Sequence, residues 1–203
     1  LSFFKQACSN YSRYGLTTLM TQANNQDMLL IPDPSALLTT LSDQTYIGAY
    51  VPHNLVLMSD IHRLKYAMYL NNDAYEALKK MIDAMPNEIA NDFYVKEAYT
   101  SFTDLQYSNP NLAGKDERQL GHTVSIASKS IAYHEFETAA LSQWLEAHSY
   151  EYGFILRYPK RMASSTNHVY DAHYYRYVGK KNANKIYKEN SCIEEYNQKE
   201  AAE

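Results

Sequence analysis

With 203 residues, 45% of them hydrophobic, the chain is long enough for one substantial core, which predicts one soluble domain or one domain with an extension. Its apolar runs, such as 28–31 and 153–156, are far too short to cross a bilayer, and the first residues lack the basic start and long apolar stretch of a secretion signal. A formal charge of −4 with 19 basic residues provides no dense cationic face, which argues against a nucleic-acid partner held through phosphates.

Residue 1 is Leu rather than Met, as expected of a mature or trimmed form from which a signal or anchor has been removed. Two cysteines, Cys8 and Cys192, are too far apart for any zinc-ribbon spacing. In an oxidising compartment they could pair and tie the termini together. Tyrosine is abundant, at 20 residues. Such rings serve mostly as half-buried core and rim residues with wet hydroxyls, and they also line sites for sugars and peptides.

In chain order, Tyr11 to Ala23 reads as a helix and 31–35 (IPDPS) as a connection. From Ala74 to Met85 the apolar residues Tyr75, Leu78, Ile82 and Met85 fall at helical spacing, with Asp73 and Glu76 as a capping pair. FYVKEAY (93–99) alternates as a strand does. A second helix is predicted from about Thr138 to Ser149, with Leu141, Trp144, Leu145 and His148 on one side and Gly153 turning the chain after it. GFILRY (153–158) and YYRYV (174–178) carry the aromatic and branched residues of strands, and PKRMASSTNH between them reads as a polar loop. The lysines from Lys180 to Lys188 read as a solvated helix surface. Helices and short strands that do not alternate regularly predict an α+β fold, an antiparallel sheet with helices packed on it. The predicted division is an N-terminal extension over 1–45, helical and packed on the core, and a main domain over 46–203.

ERQLGHTVSI (117–126), followed by DAHYYRYVG (171–179), has the outline of a metal site: a histidine in a glycine-turned segment, then Asp-x-His. Together with EAYTSFTD (97–104) and WLEAHSYEYGFILRYPK (144–160), these segments resemble the VanY-type zinc D,D-/L,D-carboxypeptidases that trim peptidoglycan stem peptides. The resemblance covers roughly 50–198 and implies that family's fold and an extracytoplasmic home. The tryptophan-leucine helix, the Tyr-Gly-Phe-Ile-Leu-Arg-Tyr-Pro-Lys run and the Tyr-Arg-Tyr-Val-Gly strand stand almost unchanged.

The chemistry departs from the pattern. The family's second segment reads Ser-Glu-His-Gln-x-Gly-x-x-x-Asp, and aligned through Glu117, Gln119 and Gly121 its two zinc ligands fall on Arg118 and Ser125. Its closing segment reads Glu-Pro-Trp-His, a general base and a third ligand, and here Asp171, Ala172, His173 and Tyr174 stand there. The arginine that meets substrate after Ala-Tyr is Thr100. A guanidinium has no free lone pair and stays protonated, so zinc is not expected as a cofactor and the hydrolysis is expected to be absent.

Nearby histidines offer an alternative metal set of His122, His168, Asp171 and His173. Alternation argues against it, since 123 and 125 share a face that His122 does not, and His173 projects to the other side from Tyr174. No two of His122, His134, His168 and His173 have a recognised ligand spacing, so each reads as an ordinary structural or surface residue. Arg118 is expected instead to enter the vacated metal position and pair with Asp171, with the Ser125 and Tyr174 hydroxyls completing the hydrogen bonds.

The function expected from the sequence is that of a pseudoenzyme. It would bind stem peptide, glycan or an envelope protein through a cleft drawing on Tyr99, Arg118, Ser125, Asp171, His173 and Tyr174. The alternatives are an active zinc carboxypeptidase with relocated ligands and a structural envelope or coat protein.

Overall fold

The protein is described here over residues 28–202 of a computed structural model. The expected helix over 11–23 and Cys8 lie outside those residues; Cys192 is buried as a free thiol.

Two small ladders begin the described chain. Strand β1 (Leu29–Leu30) pairs in parallel with β2 (Thr45–Tyr46), and β3 (Leu55–Leu57) pairs antiparallel with β4 (Tyr69–Asn71). Helix α1 spans Asn72–Asp83 and buries Ala74, Tyr75, Leu78 and Met81, a stripe at the expected helical period. Its cap differs from the expected one: Asn71, not Asp73, accepts the first-turn N–H, from Asp73 at 3.0 Å. An asparagine oxygen outside the helix reaches that orphan donor, whereas Asp73 is already one residue inside.

After α2 (Asn87–Asp92) the main sheet begins with β5 (Phe93–Glu97), and α3 (Phe102–Ser108) follows. A 3-10 turn at Glu117–Leu120 leads into β6 (Thr123–Ser128). Helix α4 (Ala140–His148) precedes β7 (Phe154–Tyr158), and β8 (Asp171–Tyr177) completes the antiparallel order β5-β6-β8-β7. The polar loop predicted over PKRMASSTNH is instead a 3-10 turn, Lys160–Met162, running into α5 (Ala163–Thr166). Asn167 stops it in the left-handed region at φ 50°, a conformation that asparagine tolerates at a helix end. The lysine-rich helix is α6 (Lys180–Glu189), and α7 (Ile193–Glu200) ends the described chain.

Alternation divides the sheet into two unlike faces. Val95, Val124, Ile126 and Tyr175 join the main core with Leu78, Met81, Leu141 and Leu145 from α1 and α4. The opposite face is polar, bearing Glu97, Thr123, Ser125, Tyr174 and Arg176. Residues 28–45, the described part of the predicted extension, consist of strand and turn. They are tied to that polar side where Arg176 Nη2 donates to the carbonyls of Leu37 (3.2 Å) and Thr39 (3.3 Å). The outer edge of β5 is covered, because Leu64 N–H donates to Val95 and Val95 N–H to His62.

Candidate functional site

Position 121 fixes how the site begins. Gly121 closes the 3-10 turn at φ +76°, and a Cβ there would stand 2.9 Å from Pro52 Cγ, so only glycine turns the chain into β6 without strain. The strand register then sets Glu97 opposite Ser125 and Ser125 opposite Tyr174. Directly paired residues share a face, so the three side chains form one row across β5, β6 and β8. A bulge between Val95 and Glu97 is what brings Glu97 into that row.

Arg118 hangs over the row from the turn. Its Nη1 donates to Glu97 Oε2 at 2.6 Å, and its Nε and Nη2 both donate to Asp116, the latter at 2.6 Å. The expected partner, Asp171, is not used. Asp116 already accepts the backbone N–H of Arg118 at 2.8 Å as the cap of the turn, so its carboxylate stands in place for the guanidinium two residues on, and Glu97 reaches it from the sheet. Burial opposes the Arg118 charge, but the hydrogen bond and charge of Asp116, then Tyr174 and Glu97, hold it above its ordinary value.

Tyr174 also departs from expectation, donating its hydroxyl to Glu97 Oε2 at 2.7 Å. Burial raises its pKa first, Arg118 opposes, and the Glu97 bond adds to the rise, so the phenol stays protonated throughout the working range. Ser125 is fully buried, and its hydroxyl meets no partner in hydrogen-bond geometry. The Tyr133 hydroxyl lies beside it: burial raises the Tyr133 pKa, and the Ser125 hydroxyl tempers that rise.

Asp171 accepts the backbone N–H of His173 through Oδ1 at 2.9 Å. His173 turns both ring nitrogens to backbone carbonyls, Nδ1 to Ile126 at 2.7 Å and Nε2 to Tyr133 at 3.0 Å. It is stacked between Tyr133 and Phe136, with ring centroids at 3.6 and 4.4 Å. His122 is buried with Nδ1 unpartnered, and burial first, then Arg176, push its pKa down to about 3. His168 is exposed and stacks on Tyr158 at 3.8 Å, and His134 is 82% exposed. Among the described residues no three His, Cys, Asp or Glu side chains gather as a metal would need.

A cleft of about 290 Å³ opens beside Arg118, with walls that include Asp116, Tyr158, His168, Asp171 and Tyr174. Of the sequence-predicted cleft residues, Arg118, Asp171 and Tyr174 line it. Ser125 lies in the row beneath, while Tyr99 and His173 are not part of the wall. The Thr100 hydroxyl is turned to its own backbone, on the Ala98 carbonyl at 3.2 Å. Sequence reasoning missed Glu97, Asp116 and Tyr133; only Asp116, an aspartate opening a turn, carried a local signal.

On the cleft wall, Glu117 is clasped from beneath by Arg157, with Nη2 to Oε1 at 2.7 Å, and by Arg176 Nη1 at 3.4 Å. Arg157 reaches on to Glu194 of α7 at 2.5 Å. Burial would raise the Glu117 pKa, but the charges of Arg157 and Arg176 hold it below the ordinary value.

The family described as VanY, D-alanyl-D-alanine carboxypeptidase, matches residues 103–180. The chain is 28% identical to the putative carboxypeptidase YodJ of Bacillus subtilis, over 83% of this chain and 70% of YodJ. It is 30% identical to a D-alanyl-D-alanine carboxypeptidase of Enterococcus faecalis, over 89% of this chain and 70% of that protein. Among solved structures, the LdcB LD-carboxypeptidase superposes with a TM-score of 0.75 at 27% identity, covering 84% of this chain and 90% of LdcB. VanYB in complex with D-alanine-D-alanine shares the fold, with a TM-score of 0.60 at 24% identity over 80% of this chain and 97% of VanYB. The fold is thus that of a known scaffold, and the chain belongs to the VanY-type D-alanyl-D-alanine carboxypeptidase family.

Proposed function

We propose that this chain is a non-catalytic member of its family, acting at the extracytoplasmic cell envelope by binding wall stem peptide in the cleft beside Arg118. One observation carries the reading: the residue standing where the motif calls for a zinc-ligating histidine is an arginine held by two carboxylates, Asp116 and Glu97.

Zinc does not fit these side chains. A catalytic zinc takes three donors from His, Asp, Glu or Cys and keeps one position for water. Arg118 offers a fixed positive charge and no lone pair. Ser125 is a neutral hydroxyl, and Tyr174 is held neutral by burial and by Glu97. His173, the nearest histidine in sequence to the third ligand position, has its ring nitrogens turned to the backbone carbonyls of Ile126 and Tyr133 and is not part of the cleft wall. The retained scaffold, with a cleft walled by tyrosine, histidine and carboxylates, supports binding as the remaining role. The partner class is carried over from relatives that, by their names, act on or recognise D-alanyl peptides and peptidoglycan.

The test is elemental analysis of protein purified without chelator, together with titration of stem-peptide fragments. The reading expects less than a tenth of an equivalent of zinc, no release of D-alanine, and saturable binding that Tyr174→Ala weakens. One zinc per chain with peptide hydrolysis would overturn it.

A further inference from the structure

Resting on the cleft-binding reading, we infer that the cleft selects its ligand through a positively charged group, such as the free amine of a lysine-like side chain, and rejects a free terminal carboxylate. The argument begins with how the charges are spent. Arg118 faces two carboxylates, Glu97 and Asp116, so the cluster keeps an excess negative charge. Asp171, on the same wall, has no cationic partner among the described residues. Glu117 adds nothing to the balance, because it and Glu194 together match the two guanidiniums of Arg157 and Arg176. The remaining wall charges, Lys115 and Asp43, are one of each sign.

Acceptors are left over as well. Glu97 Oε2 takes the hydrogen bonds of Arg118 and Tyr174, whereas Oε1 takes none among the described residues. Asp171 Oδ1 takes one from the His173 backbone, and Oδ2 takes none. Ser125, wholly buried in the row between Glu97 and Tyr174, has a hydroxyl with no partner in hydrogen-bond geometry among the described residues. An ammonium brings three donors and no acceptor, which complements this surplus of acceptors. A ligand carboxylate would need an uncommitted cation. Arg118 is spent, and Thr100 has replaced the arginine with a hydroxyl bonded to Ala98. A cleft lined mainly by one sign of charge concentrates ligands of the other.

The probe is Nα-acetyl-L-lysyl-D-alanyl-D-alanine in four forms, with the lysine amine free or acetylated and the C-terminus free or amidated, titrated by calorimetry at fixed ionic strength. The free-amine amide is expected to bind tightest, acetylation of the amine to weaken binding about tenfold, and amidation of the C-terminus to strengthen it. Asp171→Asn keeps the side-chain shape and the bond from His173, so it should weaken the free-amine peptides severalfold and leave the acetylated ones unchanged. Equal binding of amine and acetylamine forms, or tighter binding of the free carboxylate, would overturn this inference while leaving the cleft as a peptide site. Failure of all four to bind would remove the cleft-binding reading itself, and this inference with it.

Discussion

Arg118 is the residue on which the chemistry turns, and its neighbours make its contribution measurable. Removing it leaves Glu97 and Asp116 close together without a cation. Arg118→Ala should therefore cost about 2–3 kcal/mol, somewhat below the range for breaking a fully buried pair because the guanidinium is 17% exposed. Asp171→Ala removes one hydrogen bond to the His173 backbone and should cost no more than about 1 kcal/mol. Urea denaturation of both variants checks the contrast; equal losses would mean that Asp171, not Asp116, is the true partner. The reverse experiment rebuilds donors on the same backbone. The combined variant Arg118→His, Ser125→Asp, Tyr174→His, Asp171→Glu should take up one zinc per chain by elemental analysis, because the residues it changes are those aligned with the family's ligands and base. Failure to bind zinc in a folded variant would show that the scaffold itself has drifted.

At the scale of elements, β6 shows what the sequence could reveal. The apolar Val124 and Ile126 and the polar Thr123 and Ser125 alternate in the string itself, so the strand, its core face and its cleft face follow from residue type. The amphipathic stripe of α1 and the glycine exit after α4 were legible for the same reason. The partner of Arg118 was not. It depends on a 3-10 turn that curls Asp116 back beneath its own arginine, and on a bulge in β5 that decides whether position 97 faces the row; neither leaves a periodic trace. Tyr133, on an irregular 3-10 stretch, had no period to betray it. The turn at Gly121 is itself testable. Gly121→Ala forces a left-handed backbone on an L side chain and presses its methyl against Pro52, so it should cost about 2 kcal/mol by thermal or urea melting. A silent substitution would mean that the 118–123 connection can relax without disturbing β6.

Across the whole molecule, stability should fall with acid in two stages. The His122 pKa is pushed from 6.5 to about 3 by burial and Arg176, so the unfolded chain takes up a proton that the folded chain refuses. Its contribution is complete above pH 6.5 and is lost as pH falls from there toward 3. Glu117, held below 4.5 by Arg157 and Arg176, contributes above that value and loses its contribution as pH falls through its depressed pKa. The midpoint of urea unfolding should therefore decline below pH 6.5 and more steeply below 4.5, and His122→Gln should flatten the first stage only. A wild-type midpoint that is level between 6.5 and 4.5 would contradict this assignment.

Glu194 gives the far end of the chain a share in the middle of the sheet. Its carboxylate, carried on α7, closes around the outer side of the Arg157 guanidinium while Glu117 holds the inner side. A chain cut before Ile193 would leave that guanidinium half-clasped and open a path for solvent to the ion cluster under the cleft. Loss of a terminal helix that touches no ligand would thus be felt first as a softening of the floor on which the ligand rests.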